Sequence, residues 1–170
     1  MQRELPETAN FIRYAERDRS FEGDWPVARF ERLKPVLNSD QGTVHAILKF
    51  GERSGIAYLK AEISTDLDMI CQRCAQPMVQ HVEGGFLFGF VRSEDEMDML
   101  PEDMEPLLVV DEEQSIFDLI EDELLLSLPQ VNAHAEECSD YLLQQKQRQQ
   151  ADKMASSPFA VLKNLKTDKN

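Results

Sequence analysis

LKAEISTDLDMIC, Leu59–Cys71, decides how the rest of the chain is read. Leu59, Ala61, Ile63, Thr65, Leu67, Met69 and Cys71 fall on one face of an extended backbone, and Lys60, Glu62, Ser64, Asp66 and Asp68 on the other. Successive side chains of a strand point to opposite faces, so this period of two predicts one long, half-buried β-strand. Upstream, VHAILKF (Val44–Phe50) tends to alternate in the same way, and GERSG (Gly51–Gly55) supplies turn residues. The two runs are predicted to pair as a hairpin. Downstream, Val82, Phe86, Phe88 and Phe90 lie two or four apart, with Gly84 and Gly85 suggesting a bulge. The reading is an α+β fold: a small antiparallel sheet that turns at CQRCAQPM (Cys71–Met78), could curl toward a barrel, and carries a few helices.

SIFDLIEDELLLSLP (Ser115–Pro129) is the clearest helix. Ser115 and Asp118 resemble a capping box, Ile116, Leu119, Ile120, Leu124 and Leu128 form an apolar stripe, and Pro129 follows the end. The stripe is expected to pack on the sheet, leaving Glu121, Asp122 and Glu123 facing water. DWPVARFERLKPVL (Asp24–Leu37) predicts a second, shorter helix, with Asp24 as N-cap and Val27, Phe30, Leu33 and Leu37 at helical spacing; Pro35 ends or bends it. The chain before Phe21 reads as extended or irregular, and LLVV (Leu107–Val110) as a short strand. One domain over residues 1–140 is expected, with an acidic linker at 92–106. The polar residues 141–170 read as a flexible tail closing on an apolar motif with Phe159 and Leu162, which either docks back or is offered to a partner.

The net charge of −14 is not evenly spread. Arg92 to Glu123 holds 14 acids against one arginine, leaving 18 acids and 17 bases for the rest of the chain. Phosphate contacts are made by Lys and Arg, so a broad nucleic-acid-binding face is excluded. The acidic stretch, with Glu94, Asp95 and Glu96 at its start, would attract a basic protein, or else serve only as a solvated face. Toward the N-terminus, Arg13, Arg17, Arg19, Arg29, Arg32 and Lys34 are interleaved with Phe11, Tyr14, Phe21 and Trp25, and could form a limited RNA-contact patch with stacking rings or an amphipathic cover for the sheet. No apolar run is long enough to span a bilayer and the first twenty residues lack the apolar middle of a secretory signal, so a cytoplasmic protein is expected. Three cysteines, two of them close together, fit a reducing compartment.

Cys71 and Cys74 form a CxxC pair, and His134 and Cys138 an HxxxC pair just beyond Pro129. Three thiolates and one imidazole suit structural zinc in a closed tetrahedral site, which would tie the end of the helix to the hairpin turn. Alternatively the thiols cap a strand and His134 is a loop residue. Redox use is the weaker reading, because a thioredoxin-like CxxC opens a helix after a parallel strand, whereas here the strand reads as antiparallel and Pro77 follows. Arg73, between the thiols, could touch RNA as basic residues in zinc knuckles do. His45 and His81 have no matching ligand partners. No phosphate-binding glycine loop, GxSxG elbow or HExxH motif is present.

CQRCAQPM after an alternating strand, VRSEDE and LP through the acidic stretch, IFDLIEDELLLSLPQVNAH followed by Cys138, and the terminal SPFAVLKNLK together resemble the YceD family of large ribosomal RNA subunit accumulation proteins. The resemblance runs from about Arg13 to Lys166, and its specificity lies in the order of the pieces. It implies a role in accumulation or processing of 23S rRNA, no established enzymatic activity, and cysteine in many relatives at the place of His134, which favours a metal. Combined with the charge map, this gives a non-enzymatic adapter whose acidic segment engages a basic ribosomal protein or an rRNA-processing factor, with limited rRNA contact by Arg13, Arg17 or Arg73. The competing class is an enzyme, either a thiol oxidoreductase using Cys71 and Cys74 or an RNA-processing enzyme.

Overall fold

The computed structural model describes residues 5–110 and 113–139, together with residues 145, 148 and 149. In chain order its regular elements are β1 (Thr8–Ala9), α1 (Phe11–Ala15), β2 (Ser20–Pro26), β3 (Leu37–Ser39), β4 (Thr43–Arg53), β5 (Ile56–Ile70), β6 (Pro77–Val91), β7 (Glu105–Leu108), β8 (Gln114–Ser115) and α2 (Ile116–Ser127). The main sheet has the order β2-β4-β5-β6-β7, with β3 paired to β5, and β1 pairs with β8 in a separate two-stranded sheet. This is an α+β fold.

β5 is the 15-residue strand that the alternation in its sequence predicts. Leu59, Ala61, Leu67, Met69 and Cys71 are fully buried, and Ile63 and Thr65 nearly so. β4 and β5 pair from Arg53↔Ile56 down to Val44↔Thr65. Their two-residue turn places Ser54 and Gly55 at positive φ, the conformation that matches the twist of a tight hairpin. β6 then runs antiparallel to β5 in unbroken register from Tyr58↔Gly89 to Ile70↔Pro77.

That register removes the bulge expected at Gly84 and Gly85. Glycine is needed at 84 for a different reason: a Cβ there would come within 2.6 Å of the Phe86 ring and 3.0 Å of the Ser127 hydroxyl, so its bareness lets α2 close on the sheet. The sheet is also not wholly antiparallel. β7 returns parallel to β6, with Phe88 opposite Glu105 and Val91 opposite Leu108. Only the first two residues of LLVV lie within this strand, although the Val109 N–H continues the pairing to the Val91 carbonyl at 2.8 Å. β2 and β7 remain unpaired edges among the described residues, so the sheet stays open and forms no barrel.

The second helix expected from Asp24 to Leu37 does not form. Asp24, Trp25 and Pro26 are drawn into β2, opposite His45, Val44 and Thr43 of β4, so Asp24 has no helix to cap. Two 3-10 turns follow, Val27–Arg29 and Lys34–Val36. Val27, Phe30 and Leu33 are three apart, which is the period of a 3-10 helix, and all three are fully buried. Earlier in the chain, the stretch expected to be irregular contains α1. Its Asn10 cap accepts the Arg13 N–H at 2.9 Å, and Phe11 lies 5.5 Å from Phe50 and 5.2 Å from Phe90. Phe11, Phe21 and Trp25 are thereby committed to the core and cannot stack on RNA bases.

α2 begins as its sequence predicts: Ser115 Oγ accepts the Asp118 N–H at 3.0 Å. Ile116, Ile120 and Leu124 are fully buried against the sheet, and Phe117 stacks on Phe30 at 4.5 Å. Two of the three acids expected to face water do not. Glu121 and Glu123 are buried; Glu121 accepts the Arg32 backbone N–H and its Nε–H, both at 2.8 Å. A carboxylate on the inner side of a helix is stable here because an arginine from the 27–36 segment reaches it.

Candidate metal centre

β5 delivers Cys71 to the edge of the core, and the chain reverses at once. The Ala75 N–H bonds back to the Cys71 carbonyl and the Cys71 N–H to the Gln76 carbonyl, each at 2.9 Å. Ala75 sits at φ 57°, a left-handed conformation that closes the knuckle and starts β6. Inside this turn the Arg73 N–H points at Cys71 Sγ, 3.4 Å away. The CxxC spacing thus turns both thiols and the intervening backbone donors toward one point.

The loop after α2 meets that point. Its Asn132 carbonyl accepts the Gln72 N–H at 2.7 Å, which sets the loop alongside the knuckle. Cys71 Sγ and Cys138 Sγ are 3.6 Å apart, and Cys74 Sγ lies 3.4 Å from His134 Nδ1. One donor atom from each of the four residues lies within 4.8 Å of all the others. A tetrahedron with metal–sulfur bonds of about 2.3 Å and metal–nitrogen bonds of about 2.0 Å has edges of roughly 3.5–3.8 Å. The two measured edges fit zinc coordination, and the donor set of three sulfurs and one imidazole is the chemistry that zinc prefers.

Arg73 has a place that its sequence position did not suggest. It turns inward: Nε is 3.3 Å from Cys138 Sγ, and Nη2 donates to the His134 and Glu136 carbonyls, both at 2.5 Å. The guanidinium therefore braces the loop that carries His134 and Cys138, and its charge opposes the negative charge of the sulfurs. Three thiolates around a divalent ion leave a net charge of −1, which one arginine balances.

Proton affinities follow the geometry. Burial opposes ionisation of Cys71, yet the backbone N–H groups of His134, Arg73 and Cys74 aimed at its sulfur outweigh this and hold its pKa near 5. Burial likewise opposes charge on Cys138, but hydrogen bonds from Cys74, His134 and Arg73 lower its pKa. Cys74 is pushed upward by burial and by the neighbouring sulfurs. His134 is raised by its contacts with Cys138 and Cys71. The donors turned toward Cys71 and Cys138 favour the thiolate form at both sulfurs, the form that binds a metal ion.

The other residues singled out in the sequence lie elsewhere. Arg13 and Arg17 are exposed at and just beyond α1, away from the thiols in sequence and fold. Glu94, Asp95 and Glu96 fall in a 3-10 turn, Glu94–Met99, where Glu96 accepts the Arg92 N–H at 2.7 Å and the other two are exposed. His45 and His81 are on the solvent face of the sheet, bonded to Asp24 at 3.0 Å and Asp66 at 2.7 Å respectively. Phe159 and Leu162 lie outside the described residues.

A family model described as large ribosomal RNA subunit accumulation protein YceD matches residues 59–166, a span containing all four donors. The large ribosomal RNA subunit accumulation protein YceD of Haemophilus influenzae is 32% identical over 167 residues, which cover 95% of this chain and 96% of that protein. No solved structure gives a significant match. On the breadth of both matches, the chain belongs to the YceD family.

Proposed function

We propose that this protein supports the accumulation of large-subunit rRNA as a non-enzymatic cytoplasmic adapter, with Cys71, Cys74, His134 and Cys138 holding a structural zinc ion. The observation that carries the metal reading is the convergence of four soft donors from two segments about 60 residues apart in sequence. The name of the Haemophilus influenzae relative supports the rRNA role. Zinc in such a four-ligand site supplies charge and fixed geometry, with no open coordination position for a reacting water. The chain's own residues do the rest: Cys71 and Cys74 present two sulfurs from a rigid knuckle, His134 and Cys138 complete the set, and Arg73 orients their loop through its carbonyls.

The docking function is assigned to the acidic turn. Glu94 and Asp95 project from the 3-10 turn after β6, exposed and adjacent in sequence, and suit a basic ribosomal protein or an rRNA-processing factor. Such attraction is screened by salt. Metal analysis of freshly reduced, untagged protein tests the first half: one zinc per chain, lost in both Cys74→Ser and Cys138→Ser, is expected, and metal-free protein would sink it. Pull-downs at low and moderate salt test the second half. Equal partner recovery after replacing Glu94, Asp95 and Glu96 by Gln would remove the acidic-docking assignment.

A thiol oxidoreductase reading draws on the low pKa of Cys71. That sulfur is nevertheless fully buried, and thiol–disulfide exchange needs a nucleophile that a partner disulfide can reach. Disulfide exchange by reduced protein that disappears in Cys71→Ser is the result that would favour it.

A further inference from the structure

Several of the described cations have a carboxylate partner. Arg29 pairs with Glu7, Arg32 with Glu121 and Asp122, Lys34 with Glu31, Arg53 with Asp103, and Lys60 with Glu62. Arg73 is engaged with Cys138 and two carbonyls. The guanidinium groups of Arg13, Arg17 and Arg92 make no ion pair among the described residues, in a chain where 32 acids compete for 18 bases. All three line one cleft of about 430 Å³, formed where α1 meets the end of β6. Glu16 lines it as well, so the four charges sum to +2. Three like charges on one cleft, with no ion-pair partner among the described residues, repel one another, and an anion relieves that repulsion.

The cleft's surroundings narrow the anion. Its wall includes Ile12 and the exposed Val110, and a second cleft of about 500 Å³ shares Ile12, Glu16 and Arg92 with it. That neighbour is lined by Phe90, Met99 and Leu100, with Met99 largely exposed, and also by the carboxylates of Glu52 and Glu96. A basic recess opening into one with both apolar and carboxylate walls fits a molecule with a phosphoryl group at one end and, at the other, a flat body whose N–H groups can donate to a carboxylate. Arginine binds phosphate oxygens through paired N–H groups, and an unstacked base lies against apolar side chains. A duplex needs a wide basic face, which the charge distribution denies.

We propose that the cleft lined by Arg13, Arg17 and Arg92 is a nucleotide-phosphate site, taking one unstacked nucleotide of a single-stranded RNA with its base directed into the adjoining recess. This rests on the rRNA reading above and replaces Arg73, which is turned inward, as the expected RNA contact. A free nucleotide shares the same chemistry.

The test uses the full chain and a short fluorescein-labelled single-stranded RNA, with binding read by anisotropy at about 50 and about 200 mM salt and with AMP as competitor. Replacing Arg13, Arg17 and Arg92 together by Gln is expected to weaken binding at least about tenfold at the lower salt and to flatten the salt slope by about 0.7, the contribution of one single-strand phosphate contact. Arg53→Gln, which removes a cation already paired with Asp103, is expected to leave binding within about twofold. Displacement only by RNA identifies the strand as ligand, and displacement by AMP at equal nucleotide concentration identifies a free nucleotide; either supports the site. Absence of binding, equal binding by the triple variant, or an equal loss in Arg53→Gln overturns it. Melting curves confirm that the exposed substitutions leave the fold intact. Cells lacking the chain separate the two levels: failure of the wild-type chain to restore large-subunit rRNA removes the rRNA reading, whereas restoration with unchanged binding by the triple variant removes this site alone.

Discussion

Residues 27–36 and residues 129–139 both lack α-helix and strand, and both are pinned to the same framework of sheet and α2, but by opposite means. The first sinks Val27, Phe30 and Leu33 completely into the core. The second buries only Asn132 among its described residues and is held by the Gln72–Asn132 hydrogen bond, by Arg73, and by sulfur and imidazole contacts. Apolar burial holds under any solution condition that keeps the protein folded. Donor clusters answer to metal, protons and oxidants. The molecule therefore has one loop fixed by the core and one fixed by chemistry.

The largest expected effect tests the core-held loop. Phe30→Ala removes a fully buried ring packed on Phe117 and is expected to cost about 4 kcal/mol, or roughly 10 °C in Tm, while zinc content stays unchanged. Loss of metal in that variant would mean that the two loops are coupled. Next comes the chemically held loop. Chelation of the metal, or Cys74→Ser, is expected to lower Tm by several degrees. Amide exchange should then accelerate in residues 130–139 before it changes in residues 27–36. Uniform acceleration across both segments would erase the distinction.

The sequence made one loop legible and misled about the other. Strand β5 could be read because a period of two has one physical interpretation, and its burial follows that period along its whole length. Val27, Phe30 and Leu33 are apolar and buried, but their spacing of three serves a 3-10 turn as well as an α-helix, and pairing of Trp25 with Val44 decides the matter. The parallel return of β7 depends on the path of residues 92–104, which no periodicity encodes. At the candidate site the four donors were legible from residue type alone. The inward turn of Arg73 and the cleft shared by Arg13, Arg17 and Arg92 were not, because both arise from tertiary contacts between segments far apart in sequence.

Arg73 sharpens the comparison at the next level of effect. If its guanidinium orients the loop, Arg73→Gln is expected to weaken zinc binding roughly tenfold, measured by competition with a chromogenic chelator, while the metal-loaded fold and Phe30 packing persist. Arg73→Lys is not expected to restore affinity, since an ammonium cannot reach a sulfur and two carbonyls with one planar fork. Full rescue by lysine would reduce the role of Arg73 to charge.

The smallest effect lies in α2, the helix that joins the two loops. Glu121 is buried with Arg32 as partner, whereas Glu123, one turn-face away, is buried against like charge. Burial first, then the charges of Glu105 and Asp122, raise its pKa from 4.5 to about 6. The unfolded chain releases this proton near pH 4.5, and the folded chain keeps it until about pH 6, so the folded state binds more protons between those values. Stability from this group is therefore present at low pH and declines as pH rises through that window. Glu123→Gln removes the loss: the unfolding free energy is expected to rise at pH 7 by on the order of 1 kcal/mol and to match the parent near pH 4. The opposite pH dependence, with the variant less stable at pH 7, would mean that Glu123 has a cationic partner in solution and that α2 holds both of its inner carboxylates by pairing.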